Sequence, residues 1–350
     1  MQVMTVRVGI IGASGFTGAE LLRLLAAHPE FELVVATGDS QAGTAVAELY
    51  SSLAAAYPHL VFAENRVDLA DDHGLDLVFC GLPHGTSQAI VPGLLDGKRT
   101  VVDLAADFRL KDASLYPQWY GEEHTVPDLL ADAVYGLPEL FREDLVGAKL
   151  IATPGCYVTT ATLALAPLLS AGLVEPTGIV VDAASGVSGA GRPPKANTTF
   201  CTVDEDFTAY GVLNHRHTPE IEQNLTFAAS APAQVLFTPH LAPMNRGILA
   251  TCYARPTQAV TTESLRATLR EAYDAEPFVV VRDTPPSTKA TLGSQQVHVT
   301  AYADARTGWV VAIAALDNLT KGASGGAIQA ANVALGLPET AGLPLVGLYP

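Results

Sequence analysis

The most constraining feature of this chain is a glycine-punctuated junction near its start. Residues 6–11 (Val-Arg-Val-Gly-Ile-Ile) form a short apolar run, and Gly9-Ile-Ile-Gly12-Ala-Ser-Gly15-Phe-Thr-Gly18 leads from it into residues 16–27. In that second stretch Leu21, Leu22, Leu24 and Leu25 supply the apolar face of a helix. A short apolar run ending in glycines suits a buried strand of a parallel sheet. Glycines at such a junction let the backbone turn tightly and approach a pyrophosphate, and the helix N-terminus favours the anion. The spacing is G-x-x-G-x-x-G rather than the strict G-x-G-x-x-G, and ligand-free strand–helix turns use glycine too. The strand before and the helix after make this a dinucleotide signal.

The alternation continues. Residues 31–37, 75–82 and 100–104 read as strands, with helical stretches near 43–56 and 85–96 between them. Alternating strands and helices predict an α/β doubly wound parallel sheet. Near residue 153 the character changes. A helix over 157–170 and a strand over 178–184 precede a Gly/Pro/Asn-rich loop at 185–200. Further strands are expected at 234–240, 248–254, 277–282, 295–303 and 308–316, the last two joined by a hairpin turn at 304–308. Helices are expected from Thr218, over 261–275 and over 323–336, the last ending at Gly336 with Pro338 beyond it. The second half therefore reads as a mostly antiparallel sheet carrying helices. A chain of 350 residues has the length for two such domains.

Charge narrows the partners. Lys and Arg number 20 against 36 Asp and Glu, a formal net charge of -16. That balance argues against nucleic acid or an acidic membrane surface as partner. It leaves small anionic substrates open, since a few basic side chains in one cleft suffice. No apolar run reaches the ~18 residues of a membrane helix, and Met1–Arg7 lacks the pattern of a signal peptide. The expected location is cytoplasmic. Cys80, Cys156, Cys201 and Cys252 lie far apart with no CxxC, so neither a zinc site nor a disulfide framework is expected.

Within Thr153-Pro-Gly-Cys156-Tyr-Val-Thr-Thr160, Pro-Gly breaks a strand and Cys156 falls at the start of a helix. There the helix dipole and free N–H groups stabilise a thiolate, as a nucleophile needs. The competing reading, a small buried hydrophobe, fits Cys80 and Cys252 well. Asn214-His215-Arg216-His217-Thr-Pro-Glu220 is a dense His/Arg cluster. On a strand, His215 and His217 would share a face and suggest a metal, but no second cluster supplies ligands. A general acid/base fits better, as does a polar loop capping the helix that follows. His84, after the strand at 75–82, falls on the edge that faces the ligand crevice. Arg109, Arg192, Lys195, Arg246 and Lys321 all sit in loops among Gly, Pro or Asn. Arginine suits bidentate capture of carboxylate or phosphate; together these residues suggest a substrate with more than one anionic group.

Several motifs then occur in order: the glycine loop, Pro83-His84-Gly85, Asp103-Leu-Ala-Ala-Asp-Phe-Arg-Leu110, Tyr135-Gly-Leu-Pro-Glu139, Pro154-Gly-Cys-Tyr-Val-Thr159, Ser185-Gly-Val-Ser-Gly-Ala-Gly-Arg192, His215-Arg-His-Thr-Pro-Glu-Ile221 and Lys321-Gly-Ala323. This set closely resembles the N-acetyl-gamma-glutamyl-phosphate reductase family of arginine biosynthesis, over nearly the whole chain. The family is related in fold to aspartate-semialdehyde dehydrogenase. The resemblance implies a Rossmann dinucleotide-binding domain at 1–153, completed by a C-terminal helix within 320–350. An α+β catalytic and oligomerisation domain at 154–319 would be inserted between them. It implies NADP as cofactor and a homodimer or homotetramer.

The resemblance also implies site roles: Cys156 as nucleophile, with His217 as acid/base and His215 in reserve. Arg109, Ser188, Arg192, His215 and Arg246 would bind substrate. Gly12, Ser14, Gly15, Phe16, Thr17, Gly18, Ser40, Pro83, His84, Ser185, Gly186 and Asn318 would bind cofactor, and no metal is implied. Two positions depart from the family pattern: Thr153 stands where Asn is usual, and Gly-Asp-Ser-Gln (38–41) replaces a common Ser-Arg. Asp39 lies where a carboxylate commonly accepts hydrogen bonds from the NAD ribose, while Ser40 and Gln41 are polar groups suited to a 2′-phosphate. Two other readings stand beside this one: a paralogous reductase of lysine biosynthesis acting on carrier-bound aminoadipyl phosphate, and a non-catalytic dinucleotide-binding regulator.

Overall fold

The computed structural model describes residues 5–349; Met1–Met4, on which part of the reading of the chain start rests, and Pro350 lie outside the described residues. The chain divides into two compact units. One holds the residues up to Ser114, Glu122–Pro154 and Ala323–Leu343; the other holds Leu115–Gly121, Gly155–Gly322 and the residues from Pro344 onward.

Among the described residues of the first unit, six strands form one sheet in the order β2-β1-β3-β4-β6-β5. They are β1 (Val6–Ile11), β2 (Phe31–Ala36), β3 (Leu77–Cys80), β4 (Thr100–Asp103), β5 (Val134–Tyr135) and β6 (Leu150–Ala152). Every pairing is parallel. β3, β4 and β6 are buried along their whole length, which is why they read as unbroken apolar runs. Helix Phe16–Leu25 buries the four leucines foreseen for its face. The sheet order places β1 between β2 and β3, so the chain reverses direction across the sheet beside the glycine loop, where doubly wound sheets take their ligands.

The long helix expected at 43–56 is absent. Only Val46–Leu49 and a 3-10 turn at Ser51–Leu53 are helical. The preceding backbone is engaged elsewhere: Ala45 bridges Val61 and Val46 N–H donates to Leu60 O at 2.8 Å. The C-terminal helix is Gly325–Ala334, preceded by a wide turn at Thr320–Ser324 and stopped at Gly336, whose φ is 67°.

Among the described residues of the second unit, seven strands form a sheet in the order β11-β12-β13-β10-β7-β9-β8. They are β7 (Ile179–Gly186), β8 (Thr208–Ala209), β9 (Val235–Ala242), β10 (Ile248–Ala254), β11 (Val279–Val281), β12 (Val297–Asp304) and β13 (Trp309–Leu316). The pairings are antiparallel except β11 with β12 and β7 with β9, so the sheet is mixed and mostly antiparallel. The expected hairpin closes with Asp304 opposite Trp309 and Gly308 N–H donating to Asp304 O at 2.8 Å. Helix Cys156–Ser170 is buried from Tyr157 through Leu169. It packs against helix Thr218–Ala229 and against β10 and β13. A helix apolar all round belongs in a core, and here the core seats the first turn of the helix that begins with Cys156.

Candidate active site

In the first unit the three glycines of the loop do different work. Gly12 has φ 85°, and a Cβ there would stand 2.7 Å from Gly81 O, so the turn against β3 admits no side chain. A Cβ on Gly18 would collide with the backbone of Ala13, the close packing that lets the helix start beside the loop. At Gly15 a Cβ would meet nothing within 4 Å. The space above Gly15 is therefore open, at the N-terminus of a helix with no side-chain cap and no acidic residue in its first turn. That is a cradle suited to a pyrophosphate, and these residues fit a dinucleotide. Thr37 fixes the loop from below: Gly12 N–H donates to Thr37 Oγ1 at 3.0 Å and Ala13 N–H to Thr37 O at 2.6 Å. Tyr50 OH donates to Ser14 O at 2.8 Å, and Ser324 Oγ donates to Thr17 O at 2.8 Å. Ser40 and Asp39 lie exposed in the turn after β2.

Pro83 and His84 form a turn after β3 that is held by one buried carboxylate. Asp107 accepts from Gly85 N–H at 2.9 Å and from Gln88 N–H at 3.2 Å, and His84 Nδ1 lies 2.6 Å from its Oδ1. Burial raises the Asp107 pKa, but these partners together hold it below the usual carboxylate range. Neighbouring Asp103 has the opposite fate: burial pushes it up to about 7, even though Ser87 Oγ donates to it at 2.7 Å. Arg109 is buried in this unit and donates through Nη2 to Leu104 O at 2.9 Å.

In the second unit Cys156 is the first residue of its helix, half-buried, with no acidic residue in the first turn. The other thiols differ. Cys80 and Cys252 are fully buried, and burial raises both thiols, Cys252 to about 12. Cys201 is exposed. His217 packs against the residue before Cys156: a Cβ on Gly155 would collide with its imidazole. Gly155 N–H donates to Glu220 Oε1 at 2.9 Å. His215 lies edge-on to His217, with ring centroids 4.7 Å apart, and its Nδ1 accepts from His217 N–H at 3.1 Å. Tyr157, Tyr210 and Phe237 surround it. Burial, helped by Arg216, lowers His215 to about 4. The two histidines lie in the turn before helix Thr218–Ala229, not on a strand. The shared-face metal geometry thus never arises, and among the described residues no three His, Cys, Asp or Glu side chains gather as a metal site.

A second cluster joins three loops of the same unit. Asn318 Oδ1 accepts from Gly247 N–H at 2.8 Å, and its Nδ2 donates to Ser188 Oγ at 3.0 Å. Gly186 lies so close to Arg246 that a Cβ there would be 2.7 Å from the Arg246 amide nitrogen. Arg246 Nη1 stands 3.4 Å from Asp317 Oδ2. Ser185, Gly186, Ser188, Arg246 and Asn318 are thus brought together, while Arg192 follows Gly191 half-buried in the loop beyond. Arg109 belongs to the other unit. Sequence reasoning left out Glu220 and Tyr157. The spacing of His217 and Glu220, three apart at a helix start, was the available signal for the first.

The parallel sheet with its glycine cradle, and the mixed-sheet unit with a cysteine at a helix start beside histidine, define an oxidoreductase of the semialdehyde dehydrogenase type. Residues 7–148 match the family model "Semialdehyde dehydrogenase, NAD binding domain", and residues 156–318 match "Semialdehyde dehydrogenase, dimerisation domain". The chain belongs to the N-acetyl-gamma-glutamyl-phosphate reductase family. It is 51% identical to the reductase of that name from Symbiobacterium thermophilum, over 99% of this chain and 100% of the relative. It is 50% identical to that of Acidothermus cellulolyticus, again over 99% and 100%. In fold it is similar to aspartate semialdehyde dehydrogenase II from Vibrio cholerae complexed with ASA, with TM-score 0.72 and 16% identity over 94% of this chain and 98% of that one. The Candida albicans aspartate semialdehyde dehydrogenase with NADP gives TM-score 0.70 and 17% identity over the same shares. No helix among the described residues is long and apolar enough to cross a membrane.

Proposed function

We propose that the chain reduces N-acetyl-gamma-glutamyl phosphate to N-acetylglutamate semialdehyde and phosphate in arginine biosynthesis, using NADPH and a thioester on Cys156. The observation that carries this reading is the placement of Cys156 as first residue of a buried helix, with His217 packed on the preceding glycine. Helix N–H groups and dipole favour the thiolate at that position. The thiolate attacks the acyl carbon; the carbon–oxygen bond to phosphate breaks and phosphate leaves. His217 serves as acid/base, protonating and deprotonating through its imidazole, and N–H groups of the first helical turn steady the oxyanion. Gly12–Gly18, with Ser40, Pro83, His84, Ser185, Gly186 and Asn318, would hold the reduced nicotinamide cofactor, which would supply the hydride that takes the thioester to the aldehyde level. Release of the aldehyde returns the thiolate, a good leaving group. Arg109, Ser188, Arg192, His215 and Arg246 serve the anionic ends of the substrate.

The domain roles follow: dinucleotide binding at 1–153 with the C-terminal helix, catalysis and oligomerisation at 154–319. The active form is a homodimer or homotetramer in the cytoplasm, a reading supported by the dimerisation-domain match. NADPH is preferred to NADH, with Ser40 and Gln41 at the 2′-phosphate. The test is NADPH oxidation with N-acetylglutamyl phosphate, compared with NADH and repeated in Asp39→Ala. Turnover of the free substrate with higher kcat/KM for NADPH is expected. No turnover, or a preference for NADH, overturns the corresponding half of the reading.

A further inference from the structure

Gly155 precedes Cys156 with φ -67° and ψ 145°, a conformation open to any residue. Backbone geometry therefore does not explain a glycine there. Room does: a Cβ at this position would fall on the His217 ring, with its Cδ2 and Cε1 both at 2.7 Å. The amide of the same residue is held by Glu220, whose Oε1 accepts the Gly155 N–H at 2.9 Å. Glu220 is fully buried, and a carboxylate accepting a backbone N–H makes one of the stronger protein hydrogen bonds. His217 and Glu220 sit three residues apart where helix Thr218–Ala229 begins, so their side chains project to one side of it. One turn of chain thus grips the residue before the nucleophile in two ways, by ring contact and by hydrogen bond. Gly322 packs on the nucleophile itself: a Cβ there would come 2.8 Å from Cys156 Cβ.

We propose that Gly155 and Glu220 are positioning residues. They dock the start of the cysteine helix onto the histidine turn and thereby set the thiol against the imidazole. This rests on Cys156 and His217 being the reacting pair. Glycine is required because the imidazole occupies the space of its side chain; a side-chain acceptor at position 220 is required because it fixes the amide that leads into the helix.

The experiment is a double-mutant cycle on the full-length enzyme. It measures kcat, KM and the pH dependence of iodoacetamide alkylation of Cys156, with thermal melts as the fold check. Gly155→Ala is expected to lower kcat about 100-fold, the order expected of a misplacement near 1 Å, with KM changed less than about threefold and a displaced alkylation profile. In a His217→Ala background the added methyl meets open space, so Gly155→Ala should cost little more there; non-additivity of this kind marks a direct contact. Glu220→Ala should lower kcat, and Glu220→Gln, whose amide oxygen still accepts, should restore most of it. The proposal is overturned if Gly155→Ala costs as much with His217 absent as present. It is equally overturned if Glu220→Ala and Glu220→Gln match wild type in kcat and alkylation profile. Should one variant fail to fold, the other pair decides. If Cys156→Ser itself keeps turnover, the failure lies in the assignment of the nucleophile.

Discussion

The chain uses the same local grammar twice, to different ends. After β1 and after β6 it runs from strand through glycine into a helix N-terminus. At the first junction the glycine nearest the helix, Gly15, faces open space. At the second the corresponding glycine, Gly155, is occupied on its Cβ side by His217 and through its amide by Glu220. Both junctions present helix N–H groups suited to negative charge. The first leaves that field for a ligand's phosphates. The second places the chain's own thiol in it and packs a histidine alongside. The lesson is that a glycine before a helix gains meaning from what fills the volume its side chain would have taken.

Removing the thiol from the second junction should have the largest effect. Cys156→Ser should lower turnover by more than about 10⁴-fold with cofactor affinity retained, read by NADPH oxidation and by fluorescence titration of the cofactor. The corresponding changes at Cys80, Cys201 and Cys252 should keep the chemistry. Retained turnover in the serine variant would erase the contrast between the two junctions. Next comes His217→Asn, expected to cost roughly 10²–10⁴-fold in the chemical step while His215→Asn costs less. Single-turnover kinetics would rank them, and the reverse order would move the acid/base role to His215.

At the first junction Gly15→Ala should leave thermal stability nearly unchanged, because its Cβ meets nothing. It should raise the KM for NADPH roughly tenfold, about 1.4 kcal/mol. Gly12→Ala should lower the melting temperature as well, since its positive φ and the Gly81 carbonyl both oppose a side chain. Equal melting temperatures for the two variants would show that the loop is not divided in this way. The smallest effect concerns pH. His215 titrates near 4 when folded, below the usual 6.5. The unfolded chain therefore binds the extra proton first as pH falls, and this histidine's contribution to stability is lost between about pH 6.5 and 4. Melting temperature should decline through that window, and less steeply in His215→Asn. Identical slopes would place the pH sensitivity elsewhere.

Local pattern carried much of the architecture. β1, the leucine face of the first helix, the 304–308 hairpin and the start of the cysteine helix were each visible, because each is specified by residues adjacent in sequence. What escaped was specified at a distance. The 43–56 segment has helical composition, yet its backbone groups are taken by the extended chain around Leu60. β8 is two residues long and exists only by pairing with Leu241 and His240 of β9. For His215 and His217 local pattern left a strand and a loop capping the helix from Thr218 both open, and the fold takes the loop. Cys156 and His217 were legible as candidates through residue type and neighbours. The grip of Glu220 on Gly155 spans 65 positions of sequence, and no pattern of adjacent residues encodes it.

The excursion of Leu115–Gly121 into the second unit has an optical consequence. The chain contains two tryptophans. Trp309 begins β13, under the guanidinium of Arg255, and Trp119 travels with the excursion, so both belong to the second unit. Intrinsic tryptophan emission thus originates in the unit that carries the cysteine. Tyrosine emission and circular dichroism, by contrast, report on both units, since Tyr50, Tyr57 and Tyr135 belong to the first. Recording the two signals side by side in one denaturant titration would separate the melting of each half without any label being introduced.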